Sequence, residues 1–297
     1  MSKVKSYSVG NGDMFTIEHN SSNFTIIDCD YENEDTFDLN LKEIKERSGT
    51  KQILRFISTH PDEDHIKGLK KLDDELNIPN FYCVKNEARK QNETEDFKKY
   101  LHLKDSSKAA YLFKGLKRKW LNDDDGTNGC SGIKILWPII NDVKHIEALN
   151  DAYNYKNYNN LSSIFTYSID NGAKFIWMGD MEYDYLEKIK DKIEWSKVDV
   201  VFAPHHGRKT GKISKEILDK LQQKLIIIGE APSEDLYYYD GYDTITQNSS
   251  GNITLISNNN YIDIYVEREE YNSNISGLIN RCLSDCKDGF YLGSLKI

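Results

Sequence analysis

"ISTHPDEDHIKGL", residues 57–69, sets two histidines and three carboxylates into the six positions His60 to His65, directly behind an apolar run. So much ionisable side chain at the end of a buried strand needs a purpose. "ILRFIS" upstream reads as that strand, and Ile66, Leu69 and Leu72 downstream recur at helical spacing. The ionisable run therefore sits on a strand-to-helix connection, where a rigid scaffold presents functional groups. Its bland alternative is a solvated loop capping the next helix, with Asp62 or Asp64 near the N-terminus.

Three more strand ends carry similar groups. "VDVVFAPHHGRKTG" closes an apolar run with His205 and His206, "FIWMGDME" ends in Asp180, and "NFTIID" ends in Asp28. Four of the seven histidines thus fall in two places, both just past buried strands. Histidines mixed with carboxylates are donors for zinc, manganese or iron, and an H-x-D-x-D-H loop aims alternate side chains at one point. The repetition at four strand ends favours a metal site over a capping loop.

Around these motifs the chain reads as α/β. "KSYSV", "MFTIE" and "NFTIID" are strands, "FDLNLKEIKER" places Phe37, Leu41 and Ile44 on one helix face, and Asn171-Gly172 between two apolar runs predicts a tight hairpin. A helix over 214–222 and strands "KLIIIG", "NITLIS" and "YIDIYVE" follow. Residues 77–158 read as an insertion or lid, with a strand "NFYCV", a helical stretch "SSKAAYLFKGLKRKW", an acidic glycine-bearing loop and a strand "IKILWP". Two mixed sheets with helices on their outer faces satisfy this pattern.

Composition narrows the function classes. The 297 residues are 38% hydrophobic and 29% charged, the balance of a folded soluble protein. No apolar run approaches the ~20 residues that span a bilayer, and the N-terminus has no apolar signal region, so the expectation is a cytoplasmic protein without a membrane partner. Five cysteines without a C-x-x-C pair fit free thiols. The formal net charge of −9 discourages long polyanions at a distance, although bound divalent ions reverse that sign locally.

"HPDEDH", "GD" at 179–180 and "PHHG" at 204–207 resemble the motifs of the metallo-β-lactamase superfamily, whose site lies between two β-sheets. Within it, "VGNGDMFTIE", "NNLSSIF" and "APHHGRKT" resemble the soluble hydrolase domain of ComEC-type competence (DNA-uptake) proteins. The likeness spans roughly residues 5–266, leaving 267–297 as a tail of unread role. It implies an αββα four-layer sandwich and one or two divalent metal ions, zinc or manganese, with magnesium as a further candidate. Metal 1 would take His60, Asp62 and Asp180; metal 2 would take Asp64, His65, Asp180 and His206. Asp28 would orient the loop, and His205 would serve catalysis or touch substrate. Two departures stand out: Asp62 replaces the usual second histidine, and Asn159 or Asn160 replaces that of the third motif. Both make metal 1 richer in oxygen and shift preference from zinc toward manganese or magnesium.

The implied chemistry is hydrolysis by a metal-activated water, with Asp62, Asp64 and Asp180 as catalytic carboxylates and Asp62 free to take a proton where metal 1 is absent or labile. Arg208, Lys209 and Thr210 follow the histidine pair and suit a phosphate, so the leading expectation is a phosphodiesterase or nuclease acting on nucleic acid or a nucleotide. Hydrolysis of a small ester, thioester, lactam or phosphomonoester is the alternative enzyme, and a degenerate metal-binding module the non-enzymatic one. Protein partners are not legible.

Overall fold

The computed structural model describes residues 1–169, 172–258 and 260–297. Among them fifteen strands form two mixed sheets. β1 (Ser2–Ser6), β2 (Phe15–Glu18) and β3 (Asn23–Ile27) form an antiparallel meander. β4 (Ile53–Ile57), β5 (Phe81–Cys83) and β6 (Ala109–Tyr111) then add in parallel. In the second sheet β7 (Ile133–Trp137), β8 (Ile164–Ser168) and β9 (Lys174–Trp177) pair antiparallel, and β10 (Val200–Phe202), β11 (Leu225–Ile228) and β12 (Thr244–Thr246) extend it in parallel. β13 (Ile253–Ser257), β14 (Tyr261–Val266) and β15 (Phe290–Lys296) return to β1, giving nine strands in the first sheet and six in the second.

Parallel strands need crossovers, and helices supply them. α1 (Glu34–Ser48) links β3 to β4; α2 (Glu63–Ile66) and α3 (Leu69–Leu76) link β4 to β5; α4 (Glu95–Lys104) links β5 to β6. α5 (Val143–Tyr153) and α6 (Tyr183–Ile189) serve the second sheet, with α7 (Lys215–Leu221) and the short α8 (Gln247–Ser250). α1 shows why the sequence folds so: the Asn33 side chain accepts the Thr36 N–H at 2.9 Å, Glu34 and Asp35 lie at the positive end, Lys45 and Arg47 at the negative end, and Phe37, Leu41 and Ile44 are buried.

Period-two alternation distributes the apolar side chains over three cores. Ile27, Ile57, Val200, Phe202, Leu225 and Ile227 point between the sheets. Phe24, Ile26 and Phe56 meet α1, α3 and α4 on one outer face, and Ile176, Val201 and Ile226 meet α6 and α7 on the other. The result is the four-layer αββα order, with both sheets mixed. Asn171 lies outside the described residues, while the strands flanking it pair antiparallel as expected.

Two differences from the sequence reading have local causes. Residues 106–120 do not form a helix: Ala110 and Leu112 are buried while Ala109, Tyr111 and Phe113 are only half-buried, a period-two burial that makes β6 an edge strand. Residues 77–158 supply β5, β6 and β7, which are hydrogen-bonded members of the two sheets. The tail likewise contributes β15, and Asp288 just before it accepts from Lys3 Nζ at 2.5 Å and from the Arg47 guanidinium. Among the described residues no helix is long and apolar enough to cross a membrane.

Candidate metal centre

The parallel strands β3, β4, β9 and β10 end on the same side of the sandwich, and each delivers one motif. Asp28 follows β3 in the left-handed region (φ 54°), His60 to His65 follow β4, Asp180 follows β9, and His205-His206 follow β10. His205 and His206 both adopt left-handed backbone (φ 52° and 56°), a conformation costly for residues with a Cβ and found where side-chain aim matters. Gly179 (φ 53°) is required beside Asp180, since a Cβ there would lie 2.6 Å from Ser162 Oγ. That Ser162 hydroxyl accepts the Asp180 N–H at 3.0 Å and so fixes the carboxylate's strand end.

His60, His65, Asp180 and His206 are buried, and Asp64 is half-buried. Asp180 Oδ1 lies 2.9 Å from His65 Nε2, and Asp180 Oδ2 lies 3.3 Å from His206 Nε2. Asp64 Oδ2 is 3.6 Å from His206 Nε2, and Asp64 Oδ1 is 4.0 Å from His65 Nε2. Four donors at about 2.1 Å from a tetrahedral ion sit roughly 3.4 Å apart, which these spacings bracket.

Hydrogen bonding gives the same answer. His60 Nε2 is buried without a hydrogen-bond partner, and His65 Nε2, His206 Nε2 and Asp180 Oδ1 are buried with no well-aligned hydrogen bond although His65 and His206 lie 2.9 and 3.3 Å from Asp180, a condition native proteins avoid unless something else fills the role. The opposite ring nitrogens are all held. His65 Nδ1 donates to Asp28 Oδ2 at 2.8 Å, His206 Nδ1 to Asp13 Oδ1 at 3.0 Å, and His60 Nδ1 to Thr59 Oγ1 at 3.1 Å. Thr59 Oγ1 in turn donates to Asp28 Oδ2 at 2.6 Å, and the Thr59 N–H donates to Asp28 Oδ1 at 2.7 Å. With each Nδ1 held from behind, the Nε2 atoms are left for the centre in two overlapping groups, His65 and Asp180 with His206, and His65 and Asp180 with His60 and Asp64, and a carboxylate behind a ring is the arrangement that orients metal-binding histidines. The residues present therefore fit a divalent ion.

The electrostatics agree. Burial works to lower the pKa of His65, but Asp180 and Asp28 outweigh it and hold the ring well above the usual histidine range. His206 is raised likewise, by Asp180 and Asp13 against burial. The Asp180 carboxyl is buried, yet His206 and His65 hold it well below its usual range. His60, buried and next to His65, is pushed down to about 3.

Not every expected ligand joins. Asp62 caps α2, its Oδ1 accepting the Glu63 N–H at 2.9 Å and the Lys90 ammonium at 2.9 Å, and it belongs to neither set of converging donors. Its carboxylate type suggested ligation; its partners, one of them 28 residues away, hold it elsewhere. Asn160 donates to Glu182 Oε2 at 2.8 Å, tying the β8 approach to the start of α6, and Asn159 lies in the same short 3-10 turn. Thr210 meets His205 Nδ1 at 2.9 Å, and His205 Nε2 lies 3.6 Å from Asp180 Oδ2 with its ring partly open to solvent. Arg208 is half-buried beside this turn and Lys209 is exposed.

Asp13 is the residue the sequence reading left without a role. It follows the glycine loop of "VGNGD", and a Cβ on Gly12 would come within 2.4 Å of the Asp64 carbonyl oxygen and 1.9 Å of Asp30 Oδ2. The Asp13 N–H donates to that same carbonyl at 3.1 Å, locking the two loops together.

Asp30 carries a testable cost. Burial pushes its carboxyl up to about 6, and Oδ1 has no hydrogen-bond partner. A carboxyl whose folded-state pKa is raised contributes stability below its unfolded value of 3.8, and loses it as pH rises through about 6. A displacement of that size is worth up to about 3 kcal/mol. In metal-free protein, Asp30→Asn is expected to stabilise by about 1–2 kcal/mol at pH 8 and to change little at pH 4. Urea unfolding at the two pH values checks this; a pH-independent effect would refute it.

No family model matches the chain, and no curated protein matches it. Among solved structures the chain is similar to CmlA, a diiron β-hydroxylase from Streptomyces venezuelae, with a TM-score of 0.41 and 11% identity over 77% of this chain and 44% of that one. A variant of the CmlA β-hydroxylase gives a TM-score of 0.46 and 12% identity over 85% and 53%. A Thermotoga maritima protein assigned to the metallo-β-lactamase superfamily as a Zn-dependent hydrolase gives 0.31 and 13% over 78% and 77%. The chain spans about half the length of the two CmlA chains.

Proposed function

We propose that the protein is a metal-dependent hydrolase acting on phosphodiesters. The observation that carries the metal-dependent part is the convergence of buried His65 and Asp180 with His206 on one side and with His60 and Asp64 on the other, each histidine held from behind. A bound divalent ion supplies there an acidified water and withdraws charge from the attacked group. The chain's own groups do the rest. Asp28, Asp13 and Thr59 keep the imidazoles in one tautomer and one orientation, so no reorganisation is needed at the moment of reaction. His205, partly open to solvent and steadied through Nδ1 by Thr210, presents its Nε2 near Asp180; burial lowers its pKa, so the neutral ring is placed to hydrogen-bond a substrate oxygen.

Support for a phosphodiester comes from the segment after the histidines. Arg208 has a buried Nε without a protein partner, and Lys209 is exposed next to it. A guanidinium with free donors beside a metal centre suits a phosphate oxygen. The test is metal-loaded protein assayed on bis(p-nitrophenyl) phosphate, on single- and double-stranded DNA, and on a lactam and a thioester. Diester cleavage is expected; lactam or thioester turnover without it would replace this reading with the small-molecule one.

Binding and chemistry should separate. Arg208→Ala and Lys209→Ala are expected to raise KM on oligonucleotides while leaving the small diester within about twofold. Each should also flatten the log–log salt dependence by close to one unit on duplex DNA, somewhat less on single strands. Equal losses on both substrates would place these residues in folding instead of binding.

A further inference from the structure

Within the H-x-D-x-D-H run, Asp62 stays out of the donor cluster, and the group holding it is a cation. Lys90 Nζ lies 2.9 Å from Asp62 Oδ1 and 3.1 Å from Glu63 Oε1. The lysine side chain is only 9% exposed and lies over the rings of Phe97 and Tyr158, at 5.3 and 5.1 Å. Tyr158 itself donates to the Arg89 carbonyl oxygen, fastening the loop that carries the lysine. An ammonium so enclosed between two carboxylates and two rings is not a loose surface charge; removing either side of the pair leaves the other partly buried and uncompensated.

The donors themselves serve one ion better than two. Two sets converge, His65 and Asp180 with His206 and Asp13, and His65 and Asp180 with His60 and Asp64. Asp13 accepts from Nδ1 of His206, behind the ring, so in the first set it orients and does not ligate. Both sets need His65, whose Nδ1 proton is committed to Asp28 and whose Nε2 has a single lone pair. An ion in one set therefore deprives the other. A second ion would keep His60 and spare carboxylate oxygens, and Asp62 is the further donor its loop offers.

We propose that the centre holds one ion, and that Lys90 sets this stoichiometry by holding Asp62 out of the donor cluster. The proposal rests on the metal-centre reading above but not on the substrate. The experiment loads the full chain with excess Mn²⁺, removes loose ions by desalting, and measures metal per chain by elemental analysis and affinity by titration calorimetry. The native chain and Lys90→Arg are expected to retain one ion. Lys90→Met, folded by circular dichroism, should take a second ion at least about tenfold more weakly than the first, and Lys90→Met with Asp62→Asn should lose it again. Two ions retained by the native chain, or one by folded Lys90→Met, would overturn the proposal. Should Lys90→Met not fold, Asp62→Asn decides: an affinity for the first ion within threefold of native supports the proposal, and a larger loss overturns it. A native chain that retains no ion defeats the metal-centre reading itself and this proposal with it. Failure to cleave diesters with one ion bound defeats only the substrate reading.

Discussion

Asp180→Ala is expected to lower turnover at least about a thousandfold on every substrate the native protein cleaves, the small chromogenic diester included. Both carboxylate oxygens of Asp180 are committed to the centre, Oδ1 at 2.9 Å from His65 Nε2 and Oδ2 at 3.3 Å from His206 Nε2. His205 Nε2 lies 3.6 Å from the same Oδ2, so the substitution also removes the charge facing His205. Asp180 is common to both groups of converging donors, so alanine takes a carboxylate from each of them. Because Asp180 lies on a turn fixed through its own backbone N–H by Ser162, the loss should be chemical and not a collapse of the strand end. A native-like thermal unfolding profile beside absent turnover is the expected result. Turnover within tenfold of native would show that the chemistry occurs elsewhere.

Much of this centre was legible before any coordinates, for a physical reason. Ligand types are few, and parallel strands that end on one side bring their following residues together whatever separates them in sequence. The His60–His65 loop, Asp180 and His206 are far apart along the chain but occupy equivalent places after β4, β9 and β10, so residue type plus strand end sufficed. Asp28 was legible on the same ground, and it hydrogen-bonds Thr59 and His65 in the loop that follows β4. Asp62 and Lys90 were not. Whether a carboxylate in such a loop faces the ion or a lysine depends on a partner in a segment without periodicity, and pattern reading has no access to that pairing. Asp13 was missed for a related reason: its signal is the glycine before it, which matters only because the Asp64 carbonyl passes close by. Residues 106–120 misled through composition, since lysines and alanines favour a helix in isolation while sheet pairing at Phe81–Ala109 and Cys83–Tyr111 decides the outcome.

Loading the metal-free protein at pH 7 is expected to release close to two protons per ion, and the apparent affinity should fall steeply as pH is lowered. The sign follows from the two histidines whose pKa values lie above the usual range. His65 is flanked by Asp180 and Asp28, and His206 by Asp180 and Asp13, and in both the carboxylates outweigh burial, so each ring carries two protons near neutrality in the absence of metal. The Nδ1 proton stays on its carboxylate, Asp28 or Asp13, and only the Nε2 proton has to leave before the lone pair is available. His60 is held down to about 3 and contributes none. While both rings remain protonated, affinity should therefore rise by up to about a hundredfold per pH unit, tenfold for each proton displaced. Asp28→Asn removes one of the two charges that keep His65 protonated, so its proton release at pH 7 should drop toward one while the affinity becomes less dependent on pH. Proton release measured in weakly buffered solution on addition of Mn²⁺ or Zn²⁺ reads this directly. An affinity flat between pH 6 and 8, with fewer than one proton released, would mean that the two imidazoles are neutral before metal arrives and that Asp13 and Asp28 orient them without charging them.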